Sequence, residues 1–189
     1  MRTLNEMFYD VILLNELSGN LNAALRFSDP DGVLSGKSGW SFGVCQFDTQ
    51  NNSQALACLR ECGFTEAEIQ GIVNQTIDVK PLNAKLKAHA DIIERYSTVQ
   101  LSYCLDKALN FYTERGIAVE NPGGIMATAD AINQYGSVGD GFAEYMRKFA
   151  RPVIAYDVLK WRMQTKYGRE HPDDCIRRIQ NVLSVCASL

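Results

Sequence analysis

Histidine is scarce in this chain of 189 residues, with only His89 and His171 present. Neither stands in ligand spacing with the other or with cysteine, so a zinc site has no framework of donors. A Cys–His nucleophilic pair stays open, although neither histidine falls in a loop of catalytic character. No basic excess is present either: the formal net charge is −3 and the pI about 5.4. A face that binds phosphates normally shows as a surplus of Lys and Arg, so nucleic acid is not an expected partner. No run of about 18 apolar residues occurs, so no membrane span is expected. The first nine residues include Arg2, Asn5 and Glu6 and lack an uninterrupted apolar core, so no secretory leader is expected. The six cysteines are neither dense nor closely paired, unlike a disulfide framework. They read as small apolar core residues in a reducing cytoplasm.

What the chain does have is enough apolar content for a sizeable core, 46% against 22% charged. Its length fits one domain, 1–189, and nearly all of it reads as helix. Apolar spacing predicts helices over Leu4–Leu17, Asn52–Cys62, Pro81–Tyr96, Thr98–Arg115, Ile125–Tyr135, Pro152–Tyr167 and Pro172–Ala187. Thr65-Glu66-Ala67-Glu68 is a capping box that opens a further helix carrying Ile69, Ile72 and Val73. Asp31-Gly32 is a turn pair that allows a short hairpin within Ser28–Phe42. The wide apolar stripes are explained as core, and no cofactor or metal is needed to account for them. Asp29-Pro30-Asp31-Gly32 lacks the later oxygen ligands of a calcium loop. Trp161 and Tyr156 read as packing residues. The arginines of the C-terminal third, Arg162, Arg177 and Arg178 among them, read as solvated helix faces, or more sharply as a patch for an anionic polymer.

The most informative stretch runs from Glu16 to Asp48. Glu16 lies on the last turn of an apolar helix that Gly19 closes, beside aliphatic side chains. Such a setting disfavours a charged carboxylate and suits a general acid. A long loop of Gly, Ser, Asp and Pro follows, and a loop of that length is expected to line a site. It returns at Phe42-Gly43-Val44-Cys45-Gln46-Phe47-Asp48.

That returning segment resembles the F-G-L-M-Q-V-D run of goose-type lysozymes. The order Glu16, Ser18, Ser38, Gly43, Gln46 is similar to the E-S and S-x-x-G-L-M-Q motifs of soluble lytic transglycosylases, with Val44 and Cys45 at the Leu-Met positions. The resemblance implies an all-α, lysozyme-like helical domain. It also implies a glycosidase that cleaves the β-1,4 bond between N-acetylmuramic acid and N-acetylglucosamine in peptidoglycan. Glu16 would be the catalytic acid, and Ser38, Gly43 and Gln46 would belong to the sugar cleft. Further along, Ala129 to Gly136 is similar to the closing A-x-Y-N-x-G motif of transglycosylases, one residue out of step, and to the D-A-x-x-x-H-G segment of chitosanases. It adds Asn133 and Tyr135 as cleft candidates.

Glycoside hydrolysis usually pairs two carboxylates, and Asp29, Asp31 and Asp48 are the candidates for the second. Goose-type lysozymes carry another acid just ahead of F-G-L-M-Q, where this chain has Ser38, Gly39, Trp40 and Ser41. That departure suits a transglycosylase scheme, in which one Glu protonates the glycosidic oxygen and then deprotonates the sugar's own 6-hydroxyl. Hydrolysis with Asp29 or Asp31 stays open, as do a chitosanase-like enzyme and a non-catalytic glycan-binding module. The expected partner is the peptidoglycan strand. A protein made in the cytoplasm without a leader would reach it through a holin or a secretion machine.

Overall fold

A computed structural model of the chain describes residues 2–29, 32 and 36–188. It is mostly helical, with ten α-helices and one two-stranded hairpin among the described residues. No described helix is long and apolar enough to cross a membrane. The chain divides into two compact units, residues 1–15 with 100–189, and residues 16–99.

The unit of residues 16–99 receives the end of helix α1, Leu4–Leu17, whose bounds match the apolar spacing. A short 3-10 turn, Leu21–Leu25, follows, with Asn20 capping it by accepting from the Asn22 amide. Strands β1, Ser41–Phe42, and β2, Phe47–Asp48, pair antiparallel. Ser28 and Ser41 form an isolated antiparallel bridge. Helices α2, Ser53–Glu61, and α3, Glu66–Val73, pack on each other. Thr65 and Glu68 form the full capping box, and Gly63 ends the preceding helix at φ +74°. Phe27, Phe42, Phe47 and Phe64 make a chain of ring contacts, edge-on at Phe27 with Phe42 and Phe64 and tilted between Phe42 and Phe47, with centroids 5.6 to 6.1 Å apart.

Helix α4 is short, Asn83–Ala88, and α5 runs unbroken over Ala90–Glu114. The break therefore falls at His89, where ψ is 37°, and not near Ser97 as the spacing predicts. Ser97 is fully buried within α5, and its carbonyl accepts the Cys45 thiol at 3.6 Å.

In the unit of residues 1–15 and 100–189 the central element is α6, Gly123–Tyr135, buried from Gly123 through Ile132. It packs against α8, Ala155–Arg162, and α10, Pro172–Ala187. Two glycines permit close approaches here. A Cβ on Gly124 would lie 2.4 Å from the Val153 carbonyl oxygen, and one on Gly168 would lie 1.9 Å from that of Arg162. Helix α7, Asp140–Met146, and α9, Lys166–Glu170, complete the unit, and neither has a separate counterpart in the sequence reading.

Pro152 does not start a helix. Val153 is drawn into a parallel bridge with Val119, donating to Ala118 O and accepting from Glu120 N, so its backbone is extended. The helix begins at Ala155, where the Asp157 carboxylate accepts the Ile154 N–H at 3.0 Å.

Candidate active site

Glu16 sits on the last turn of α1, half-buried, and opens the same compact unit that holds the loop and hairpin. The hairpin turn is built by two residues in the left-handed region, Gly43 at φ +75° and Gln46 at φ +52°. Gly43 must be glycine for two reasons. Its φ disfavours a side chain, and a Cβ there would stand 2.9 Å from the Phe47 ring.

The Gln46 carboxamide ties this turn together. Its Nε2 donates to Gly43 O at 3.0 Å, and its Oε1 accepts from the Ser28 hydroxyl at 2.8 Å. Ser28 is the residue before Asp29 and is itself bridged to Ser41 by two backbone bonds of 2.8 Å. Gly43, Gln46, Ser28 and Ser41 are thus one hydrogen-bonded unit, with Asp29 next in the chain to Ser28. Asp29 is half-buried, and its carbonyl accepts from Gly32 N. Ser38 is half-buried in the returning segment. Asp31 lies outside the described residues.

Asp48 is occupied differently. Its Oδ1 accepts from the backbone N–H groups of Gly39, Gln50 and Asn51, and its Oδ2 from the Asn51 side chain at 2.7 Å. Partial burial opposes its ionisation, but the Asn51 side-chain bond and these three amides outweigh it and hold the carboxyl below the usual aspartate range. A carboxylate committed to so many donors shapes the hairpin base and is a poor candidate to activate water. Next to it, Gly39 is buried where a Cβ would meet Gln50 Cγ at 2.6 Å.

Asn133 and Tyr135 fall on the last turn of α6, in the other compact unit. Tyr135 packs edge-on against Trp161 and Tyr167, and the Arg162 guanidinium lies 5.3 Å from its ring centre. Burial pushes its hydroxyl pKa up.

That unit also holds a charged cluster that the sequence reading missed. Asp130 is fully buried and accepts from Arg162 at 2.6 Å, Arg178 at 2.9 Å and Asn15 at 3.0 Å. Arg178 also donates to Asp174, which accepts from Arg177 and from the Tyr167 hydroxyl. Asn15 in turn accepts from Asn181 at 2.8 Å, and Arg177 donates to the carbonyls of Leu14 and Asn15. The last turns of α1 are therefore fastened to α6 and α10. Arg162 and Arg178 are buried structural cations, which corrects their reading as solvated or polymer-binding faces. One signal was available: Arg178 falls on the apolar stripe of α10 with Cys175, Ile179 and Val182, where a charge demands a buried partner.

No family model, curated protein or solved structure matches the chain. None of the six cysteines is in a disulfide among the described residues; five are buried and Cys186 is half-buried.

Proposed function

We propose that the chain is a peptidoglycan-cleaving glycosidase of the lytic transglycosylase or muramidase type, with Glu16 as general acid. The observation that supports this reading is the presence, within one compact unit, of a half-buried carboxylate at a helix end and a Gly43–Gln46 turn locked by its own carboxamide. A rigid turn gives a sugar ring a fixed wall, and positioning supplies much of the rate in such reactions. Glu16 donates its proton to the bridging oxygen as the bond to the anomeric carbon breaks. The resulting carboxylate then takes the proton of the sugar's 6-hydroxyl, whose oxygen closes on the anomeric carbon to leave a 1,6-anhydromuramoyl end. Because Asp48 is consumed in the hairpin base, Asp29 is the remaining described carboxylate of the three for a hydrolytic variant, in which water takes the place of the 6-hydroxyl.

Mass spectrometry of murein digests tests the reaction. Anhydro ends support the one-carboxylate route, reducing ends the route through Asp29 or Asp31, and intact murein contradicts both. A chitosanase-like activity is the second reading. It rests on the likeness of Asp130 to Gly136 to the chitosanase segment, with Tyr135 in place of its histidine, although Asp130 itself is fully buried in the ion cluster. Digestion of chitosan in place of murein would select it.

A further inference from the structure

A cavity of about 250 Å³ opens in the unit of residues 100–189, lined by Glu144, Tyr145, Lys148, Trp161, Gln164 and Thr165 with Gly141. We infer that it binds one neutral pyranose unit of a glycan chain, stacked on Trp161, as a contact additional to the cleavage site.

Trp161 is half-buried and packs against two rings. Phe142 meets it edge-on at 4.8 Å and Tyr135 at 6.3 Å. An indole that lines a cavity is a stacking partner for a sugar ring, because the negative face of its π-system attracts the weakly positive C–H hydrogens. The polar groups on the wall are mixed in sign. Glu144 and Lys148 both line the cavity, and among the described residues neither has an ion-pair partner within 4.0 Å. The Lys148 ammonium instead rests 5.2 Å from the Tyr145 ring centre. Gln164 spends one N–H on Lys160 O at 3.3 Å, which leaves its carbonyl oxygen and second N–H to recognise a ligand. Thr165 is already engaged, donating to Arg162 O and accepting from Gly168 N, and so forms floor.

This pattern selects among ligand classes. Glu144, Lys148 and Gln164 are exposed, so the wall carries both signs of charge and a carboxamide and favours neither an anion nor a wholly apolar ligand. A ring with one apolar face and an equatorial rim of hydroxyls suits both the indole and this wall. The volume lies just under the usual range for drug-sized ligands, about 300–1,000 Å³, and so limits the occupant to a small unit. If the glycosidase reading holds, that unit is an N-acetylhexosamine of the wall polymer, gripped away from the reacting bond.

The test uses the full chain carrying Glu16→Gln, so that the probe is not consumed, and N-acetylchitotetraose as probe. The two tryptophans, Trp40 and Trp161, give separate indole N–H resonances. Saturable movement of the Trp161 resonance is expected, with affinity falling about five- to tenfold in Gln164→Ala and in Glu144→Ala, the size of one or two lost hydrogen bonds. A stationary Trp161 resonance, with or without movement of Trp40, overturns the site, as does unchanged affinity in both variants. The catalytic reading fails separately, by murein cleavage surviving Glu16→Gln.

Discussion

Asp130 and Arg162, both shut off from solvent, meet at 2.6 Å in the centre of a helical unit, and Arg178 closes on the other carboxylate oxygen at 2.9 Å. One carboxylate thus bridges two cations, the second of which also pairs with Asp174. Removing it leaves Arg162 buried with no counter-charge and Arg178 with Asp174 alone. Breaking a buried pair from one side costs about 3–5 kcal/mol, so Asp130→Ala is expected to lose at least that in urea denaturation. A loss under 1 kcal/mol would show that the arginines find other partners.

The same cluster sets an acid limit on stability. Burial opposes ionisation of Asp130 and Asp174, yet Arg178, with Arg162 at Asp130 and Arg177 at Asp174, holds both carboxyls below the ordinary value. A folded-state pKa below the unfolded one contributes stability that is fully present above the unfolded value. That stability is lost as pH falls through the folded value. The melting temperature should therefore hold between about pH 5 and 7 and drop steeply below about pH 4, where unfolded aspartates take up protons. In Asp130→Asn the drop should be shallower.

Two glycines separate backbone strain from collision. Gly136 has φ +78° with open space around a would-be Cβ, whereas Gly43 has φ +75° with the Phe47 ring 2.9 Å away. Gly136→Ala is expected to cost about 1–2 kcal/mol for the left-handed backbone alone. Gly43→Ala should add about 1–3 kcal/mol of overpacking to that. Equal losses in thermal denaturation would mean that Phe47 yields freely.

Ser28→Ala removes the donor to Gln46 Oε1 and leaves the Gly43 bond in place. The expected stability loss is small, about 0.5–1.5 kcal/mol. If the locked turn forms the sugar wall, murein cleavage should fall by more than stability does, with KM raised. A change in stability with kinetics untouched would confine Gln46 to a structural role.

Local signals made much of the fold legible. Leu4–Leu17 was readable from an apolar run closed by Ser18-Gly19, α3 from its Thr65/Glu68 box and α10 from Pro172, because each boundary is decided by residues within one turn. The boundaries that differ are decided by distant partners. Val153 is held extended by Val119, which delays α8 past Pro152. The helix break at His89, in place of Ser97, has no local signature, since His89 is neither Gly nor Pro and Ser97 is simply a small buried residue. In the candidate site, Gly43 and Gln46 stood out only through a resemblance, while their use as the turn between β1 and β2, beyond the stretch Ser28–Phe42 where a hairpin is expected, and the structural use of Asp48 depend on pairing and on amides brought back from Gly39 and Asn51. The buried state of Arg162 depends on Asp130, 32 residues earlier in the chain.

The central claim is that Glu16 moves the proton in glycan cleavage. Turbidity loss of purified murein, followed with wild-type protein, Glu16→Gln and the control Asp29→Asn, tests it most directly. Wild-type protein should clear the suspension and Glu16→Gln should leave it intact while melting at a similar temperature. Asp29→Asn is spared if one carboxylate suffices. Equal clearing by wild-type and Glu16→Gln protein would contradict the account.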